Sequence, residues 1–211
     1  MDVGAPLPGL FVHMVTSGVL SAPPTSPVSL SVLYGALAIS FGTQVEPPDV
    51  SKAPRVMLPA AAAPAGSVFA LALVDPDAPS PKTPTERSRL LWLVADARAA
   101  SDAGSASASS ERAGEHALSL DAASGAQVLQ PYAAPNPQLG NHRYVFVLLR
   151  QRRLLGAAAA AAAAPALRAS FSLPAFAASI GAEAVGANFF CSHAKESWGS
   201  SGGSGKKRKR G

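Results

Sequence analysis

A near-continuous apolar run, Ser67–Val74, stops abruptly at Asp75-Pro76-Asp77-Ala78-Pro79-Ser80-Pro81. Three prolines in these seven residues bar both a helix and a central strand, because each removes a backbone donor and fixes φ. The run is therefore read as a buried strand, and the prolines as a rigid loop at its end. That loop holds two carboxylates, Asp75 and Asp77, in place, which lowers the ordering cost of binding a ligand. The residues alone also fit a tight loop in which both carboxylates simply accept backbone amides.

A second segment has the same design in reverse. Gly140-Asn141-His142-Arg143-Tyr144 opens the apolar strand Tyr144–Leu149. His, Arg and Tyr together offer several hydrogen-bond donors to an anion, although a histidine at a strand start also fits a purely structural role. Further strands are expected at Val28–Tyr34, which alternates, at Ala36–Phe41 as its antiparallel neighbour, and at Leu90–Ala95. A short helix is expected before Leu20. Ser172 is placed to cap a last helix that has Pro174 in its first turn and Phe176 and Ile180 on one face, and Gly181 would end it. The Ala/Ser/Gly/Asp-rich stretch 97–126 reads as a long mobile loop. The stretch 156–166 reads as a low-complexity insertion with transient helix.

These elements imply one mainly β domain over 1–198, with 199–211 a disordered Gly/Ser linker and basic tail. The net charge of +5 misleads, because five of the eighteen basic residues form the run Lys206, Lys207, Arg208, Lys209, Arg210. The other thirteen match thirteen acidic residues, so the folded part is neutral by count and sequence-specific nucleic-acid binding is not expected. Cys191 is the only cysteine, which excludes an intramolecular disulfide. It sits in an apolar segment, Ala187–Cys191, and reads as a small core residue. The N-terminus carries Asp2 and no early Lys or Arg, so it reads poorly as a leader, and no transmembrane segment is expected. The expected location is the cytoplasm, with the basic run as a nuclear-localisation signal. Hydrolase elbows, zinc signatures and phosphate-cradling loops are missing, so no catalytic residue, metal site or cofactor is assigned.

Taken together, Asp75–Ser80 and Gly140–Tyr144 resemble the phosphatidylethanolamine-binding-protein (PEBP) family closely. Trp92-Leu93-Val94, Leu149-Arg150-Gln151, Phe176-Ala177, Val185 and Ala187-Asn188-Phe189-Phe190 extend the resemblance over roughly residues 10 to 195. It implies a PEBP-like antiparallel β-sandwich with a few short peripheral helices. It also implies a small pocket for phosphate-like anions or phospholipid headgroups, with Asp75, Pro79, His142 and Tyr144 in its wall and a cis Ala78–Pro79 bond. Asp77 and Arg143 would pair behind it as structural support. The family normally carries a histidine where this chain has Leu91, so the pocket would lose a donor and gain apolar wall. Ala184 stands where members often have proline, which would alter a turn.

The function expected from this resemblance is a non-enzymatic regulatory module that binds a protein partner of the peptidase or kinase class. Two alternatives are a hydrolase-like enzyme using Asp75 and His142, and a nonspecific nucleic-acid binder driven by the tail.

Overall fold

The computed structural model describes residues 19, 20, 24, 28–99 and 114–194. The expected N-terminal helix lies almost entirely outside them, as do the Gly/Ser linker and the basic run Lys206–Arg210. Ten strands follow in chain order: β1 (Ser31–Tyr34), β2 (Leu37–Ile39), β3 (Thr43–Gln44), β4 (Arg55–Pro59), β5 (Val68–Asp75), β6 (Arg89–Ala99), β7 (Glu115–Ser119), β8 (Gln127–Gln130), β9 (Asn141–Gln151) and β10 (Ala182–His193). Two helices, α1 (Gly156–Ala163) and α2 (Leu173–Ser179), lie between the last two strands.

The structure is mainly β with short helices beside the sheet, as expected, and only the all-antiparallel pairing needs correction. The strands form one sheet in the order β2-β1-β4-β7-β6-β5-β9-β10-β3, with β8 added to β6. It is mixed, because β3 pairs with β10 in parallel. The loop expected at 97–126 is also corrected. Within it, β6 runs on to Ala99, β7 crosses to both β4 and β6, and a capped turn at Ala122–Ser124 leads to β8. Its Ala/Ser composition hid short strands whose pairing depends on tertiary neighbours rather than on propensity.

Central strands β5, β6 and β9 are apolar on both faces because both faces are covered. On β5, Phe69, Leu71 and Leu73 enter one core with Tyr144, Phe146 and Leu148 of β9. Their neighbours Ala70, Ala72 and Val74 enter a second core with Val145, Val147, Leu149, the α2 residues Leu173 and Phe176, and Ile180 just after that helix. A period of two sorts the residues of β5 and β9 between the cores. As expected, α2 begins at Ser172, whose hydroxyl accepts the Ala175 amide. A register shift between Ala184 and Gly186 marks the segment where proline was missed. There a Cβ on Gly186 would come within 2.6 Å of the Val28 carbonyl, so only glycine fits.

The alanine tract forms a helix with no side-chain cap of its own. An isolated eight-residue helix is marginal even in alanine. Asp96, buried in β6, supplies what α1 lacks. Its carboxylate accepts the amides of Leu155 and Gly156 at 2.9 and 3.0 Å. The same group accepts from Gln151 Nε2 at 2.9 Å, while Gln151 Oε1 accepts the Asp96 amide at 2.8 Å. Asp96 has φ 57°, a left-handed conformation that aspartate tolerates better than most residues. Asp96→Ala leaves three donors without their acceptor and should cost about 2–4 kcal/mol. Asp96→Asn, which keeps one acceptor oxygen, should cost less. Urea unfolding of both variants checks this; equal stability of wild type and Asp96→Ala would refute the anchoring role.

Candidate functional site

The end of β5 and the start of β9 meet because of their register. Val74 pairs with Val145. One step further sets Asp75 beside Tyr144, and His142 lies two residues along the same face. The Asp75-Pro76-Asp77 loop then grips consecutive residues of β9. Asp75 Oδ2 lies 2.8 Å from His142 Nδ1. Asp77 receives Arg143 in a fork, Nε to Oδ2 at 2.8 Å and NH2 to Oδ1 at 2.7 Å, and Oδ2 also accepts the Arg143 backbone amide at 2.9 Å. Asp75 Oδ1 meanwhile accepts the Asp77 amide at 2.8 Å. Both carboxylates thus satisfy backbone amides and hold side chains at once. The Ala78–Pro79 peptide is cis.

The second ring nitrogen of His142, Nε2, faces the Leu139 carbonyl at 3.0 Å. With an acceptor on each nitrogen, only the imidazolium satisfies both. Burial opposes charge on this ring, but the hydrogen bond and charge of Asp75, with the Leu139 carbonyl and Asp77, outweigh it and hold the pKa above the ordinary histidine value. For Asp77 burial again pushes upward, and the Arg143 contacts overcome it and hold the carboxyl below its ordinary value. Burial, and then the Asp75 carboxylate, push the Tyr144 phenol well above its usual range. The Tyr144 ring stacks on Phe190 with centroids 5.1 Å apart, which fixes its orientation.

These residues border a cavity of about 430 Å³. Asp75, Ala78 and Pro79 come from the proline loop, and His142 and Tyr144 from β9. Leu91 stands on a third wall, at a bulge in β6. There the β5 partner steps from Trp92, opposite Leu73, to Leu90, opposite Val74, leaving Leu91 as the extra residue. The structure therefore brings Asp75, Pro79, Leu91, His142 and Tyr144 to one cavity and sets the Asp77–Arg143 pair behind it.

Several wall residues carried no sequence signal. Glu86 and Arg89, from the approach to β6, form an exposed ion pair at 2.5 Å. Ala133, Ala134, Asn136 and Gln138 come from the second proline-rich loop. That loop is tied down by the Ala133 amide on the Leu91 carbonyl at 2.8 Å and by the Tyr132 hydroxyl on the Val50 carbonyl at 2.6 Å. Arg168 reaches the wall from the segment between the helices. No spacing rule could have found it, because it follows an alanine tract and arrives by chain closure. Cys191 lies outside the cavity, half-buried, with its thiol pushed up by burial.

The titrations have opposite signs. His142, with a raised folded-state pKa, contributes stability that is complete below its unfolded value near 6.5 and is lost as pH rises through the higher folded value. Asp77, with a lowered pKa, contributes stability that is present above 3.8 and is lost as pH falls through its lower folded value. Urea unfolding from pH 5 to pH 9 should show an alkaline decline in the wild type that His142→Gln flattens. An identical decline in the variant would contradict the His142 assignment.

The comparisons with known proteins fit this geometry. The family model described as phosphatidylethanolamine-binding protein matches residues 33–190. The chain is 30% identical over 129 residues to Protein TERMINAL FLOWER 1 of Arabidopsis thaliana, covering 61% of this chain and 60% of that protein. It is 32% identical over 165 residues to Protein BROTHER of FT and TFL 1 of the same plant, covering 77% and 78%. Among solved structures, a carboxypeptidase Y inhibitor complexed with its cognate proteinase superposes with a TM-score of 0.67 at 18% identity, covering 87% of this chain and 92% of that one.

Proposed function

The chain belongs to the phosphatidylethanolamine-binding protein family, and from that membership we propose that it is a non-enzymatic regulatory module with an oxyanion pocket between Asp75, Pro79, Leu91, His142 and Tyr144. The observation that carries this reading is the closed state of its charged groups. Both ring nitrogens of His142 face protein acceptors, so neither is available as a base toward a substrate. Among the described residues, the cavity wall includes no Ser, Thr, Cys or Lys to serve as a nucleophile. The Tyr144 phenol, with its raised pKa, stays protonated and is a donor rather than an attacking group. These features favour binding over turnover and speak against a hydrolase built on Asp75 and His142.

The regulatory part of the proposal is that this chain acts by contact with a protein, of the peptidase or kinase class. Its support is the shared fold with an inhibitor that was solved on its proteinase. We further propose that Lys206–Arg210 directs part of the protein to the nucleus. Deleting the run should move a fluorescent fusion toward the cytoplasm, and an unchanged distribution would remove that role.

Leu91 supplies the test of the pocket. It is almost fully buried, and its side chain contributes apolar wall without a donor. Leu91→His adds one charge-assisted donor, worth about 1.5–3 kcal/mol, or about one to two decades in Kd. Calorimetric titration with inorganic phosphate and with phosphoethanolamine should show weak binding by the wild type and this gain in the variant. The gain should grow below the pKa of the new imidazole. No binding by either well-folded protein would remove the pocket reading.

A further inference from the structure

Three charged pairs or groups stand on the cavity wall, and they are unequally compensated. Asp75 and His142 neutralise one another at 2.8 Å. Glu86 and Arg89 form a second pair. Arg168 has no carboxylate within ion-pair distance among the described residues. Its guanidinium donates only to carbonyls, from NH1 to Leu91 O at 2.8 Å and Leu90 O at 3.2 Å, and from NH2 to Pro131 O at 2.7 Å. A carbonyl dipole holds a cation in place but does not cancel its charge. Nε–H and the second NH2 hydrogen are left with no bond to a described protein atom.

The backbone shows why this cation is fixed rather than free to swing into solvent. The bulge at Leu91 releases the Leu91 carbonyl from the β5 ladder, and that carbonyl takes both the Ala133 amide and Arg168. The Leu90 amide donates to the Arg168 carbonyl at 2.7 Å, so side chain and main chain of Arg168 grip the same strand end. Beyond it, the Ser170 amide donates to the Glu86 carbonyl and the Phe171 amide to the Ser88 carbonyl. Arg89 is close enough to repel it: burial, and then the Arg89 charge, press on the guanidinium. Beside this cation the wall is apolar, formed by Leu91, Pro79, Ala133 and Ala134.

We propose that Arg168 is the anion-holding residue of this pocket, and that the ligand is a compact oxyanion on a short apolar arm, the oxyanion on the free N–H groups of Arg168 and the arm against Leu91, Pro79, Ala133 and Ala134. This rests on the pocket reading above and moves the seat of the charge from His142, whose donors are committed, to Arg168. A phosphate ester and an alkyl carboxylate share the required chemistry.

The full-length chain is titrated by calorimetry with inorganic phosphate, butyl phosphate and butyrate. Butyl phosphate should bind about tenfold or more tightly than inorganic phosphate, since burying several methylenes has at least that effect. Whichever of butyl phosphate and butyrate binds more tightly identifies the oxyanion. Arg168→Gln should weaken either ligand about tenfold or more, and His142→Gln should weaken it much less. Because Arg168 also ties down three carbonyls, the wild type is read independently by ¹⁵N NMR. The Arg168 Nε–H resonance should shift on adding butyl phosphate and saturate with the calorimetric Kd. Binding that survives Arg168→Gln in a folded protein, or leaves the Nε–H resonance in place, overturns the inference while the pocket reading stands. Equal affinity for inorganic and butyl phosphate overturns the apolar arm. Absence of binding by any of the three anions overturns the pocket reading, and this inference with it.

Discussion

The site depends on one double clamp. Two carboxylates, two residues apart in a proline-stiffened loop, hold two consecutive residues at the start of β9, His142 by Asp75 and Arg143 by Asp77. Consecutive strand residues point to opposite faces. The clamp therefore grips β9 from both sides and fixes where the β5 and β9 ends lie relative to one another. A buried charged pair is costly to desolvate and is weak evidence for stability. Its physical effect here is positional, because removing His142 or Arg143 would take the charged partner from a buried carboxylate.

The clamp also governs the chemistry of the cavity. Because Asp75 and the Leu139 carbonyl use both nitrogens of His142, the imidazolium is spent on the protein itself. Aligned with the family pattern, the remaining donor would come from a histidine at position 91, and here a leucine stands at the bulge. Arg168 also stands on the cavity wall, held by the Leu91 carbonyl at the bulge and by the Leu90 and Pro131 carbonyls. The bulge at Leu91 thus supplies one of the three carbonyls that hold the Arg168 guanidinium.

Much of this was legible in the sequence where local chemistry decided the outcome. The prolines of Asp75–Pro81 announced the loop, the cap at Ser172 announced α2, and the motif Gly140–Tyr144 announced the start of β9. Reading failed where tertiary context decided. The stretch 97–126 looked like loop because alanine and serine carry no strand pattern, yet parts of it pair with β4 and β6. The antiparallel sandwich was what the family resemblance implied; the strands form one mixed sheet, with α2 covering one face and residues of β1, β2 and β4 packed with the other. Gln151 belonged to a motif, but its partnership with Asp96 was hidden because it spans a sequence separation of 55 residues. Arg168 and the β6 bulge were invisible for the same reason.

The most direct measurement of the clamp is the protonation state of His142, read from its two ring ¹⁵N resonances by NMR across pH 5 to 9. If Asp75 and Leu139 hold the ring as described, both nitrogens carry protons in most molecules at pH 6.5, and the ring titrates above the ordinary histidine value of about 6.5. A ring that is a single neutral tautomer at pH 6.5, with Nε2 deprotonated, would contradict the account. It would return a free base to the cavity that the present geometry commits to the protein.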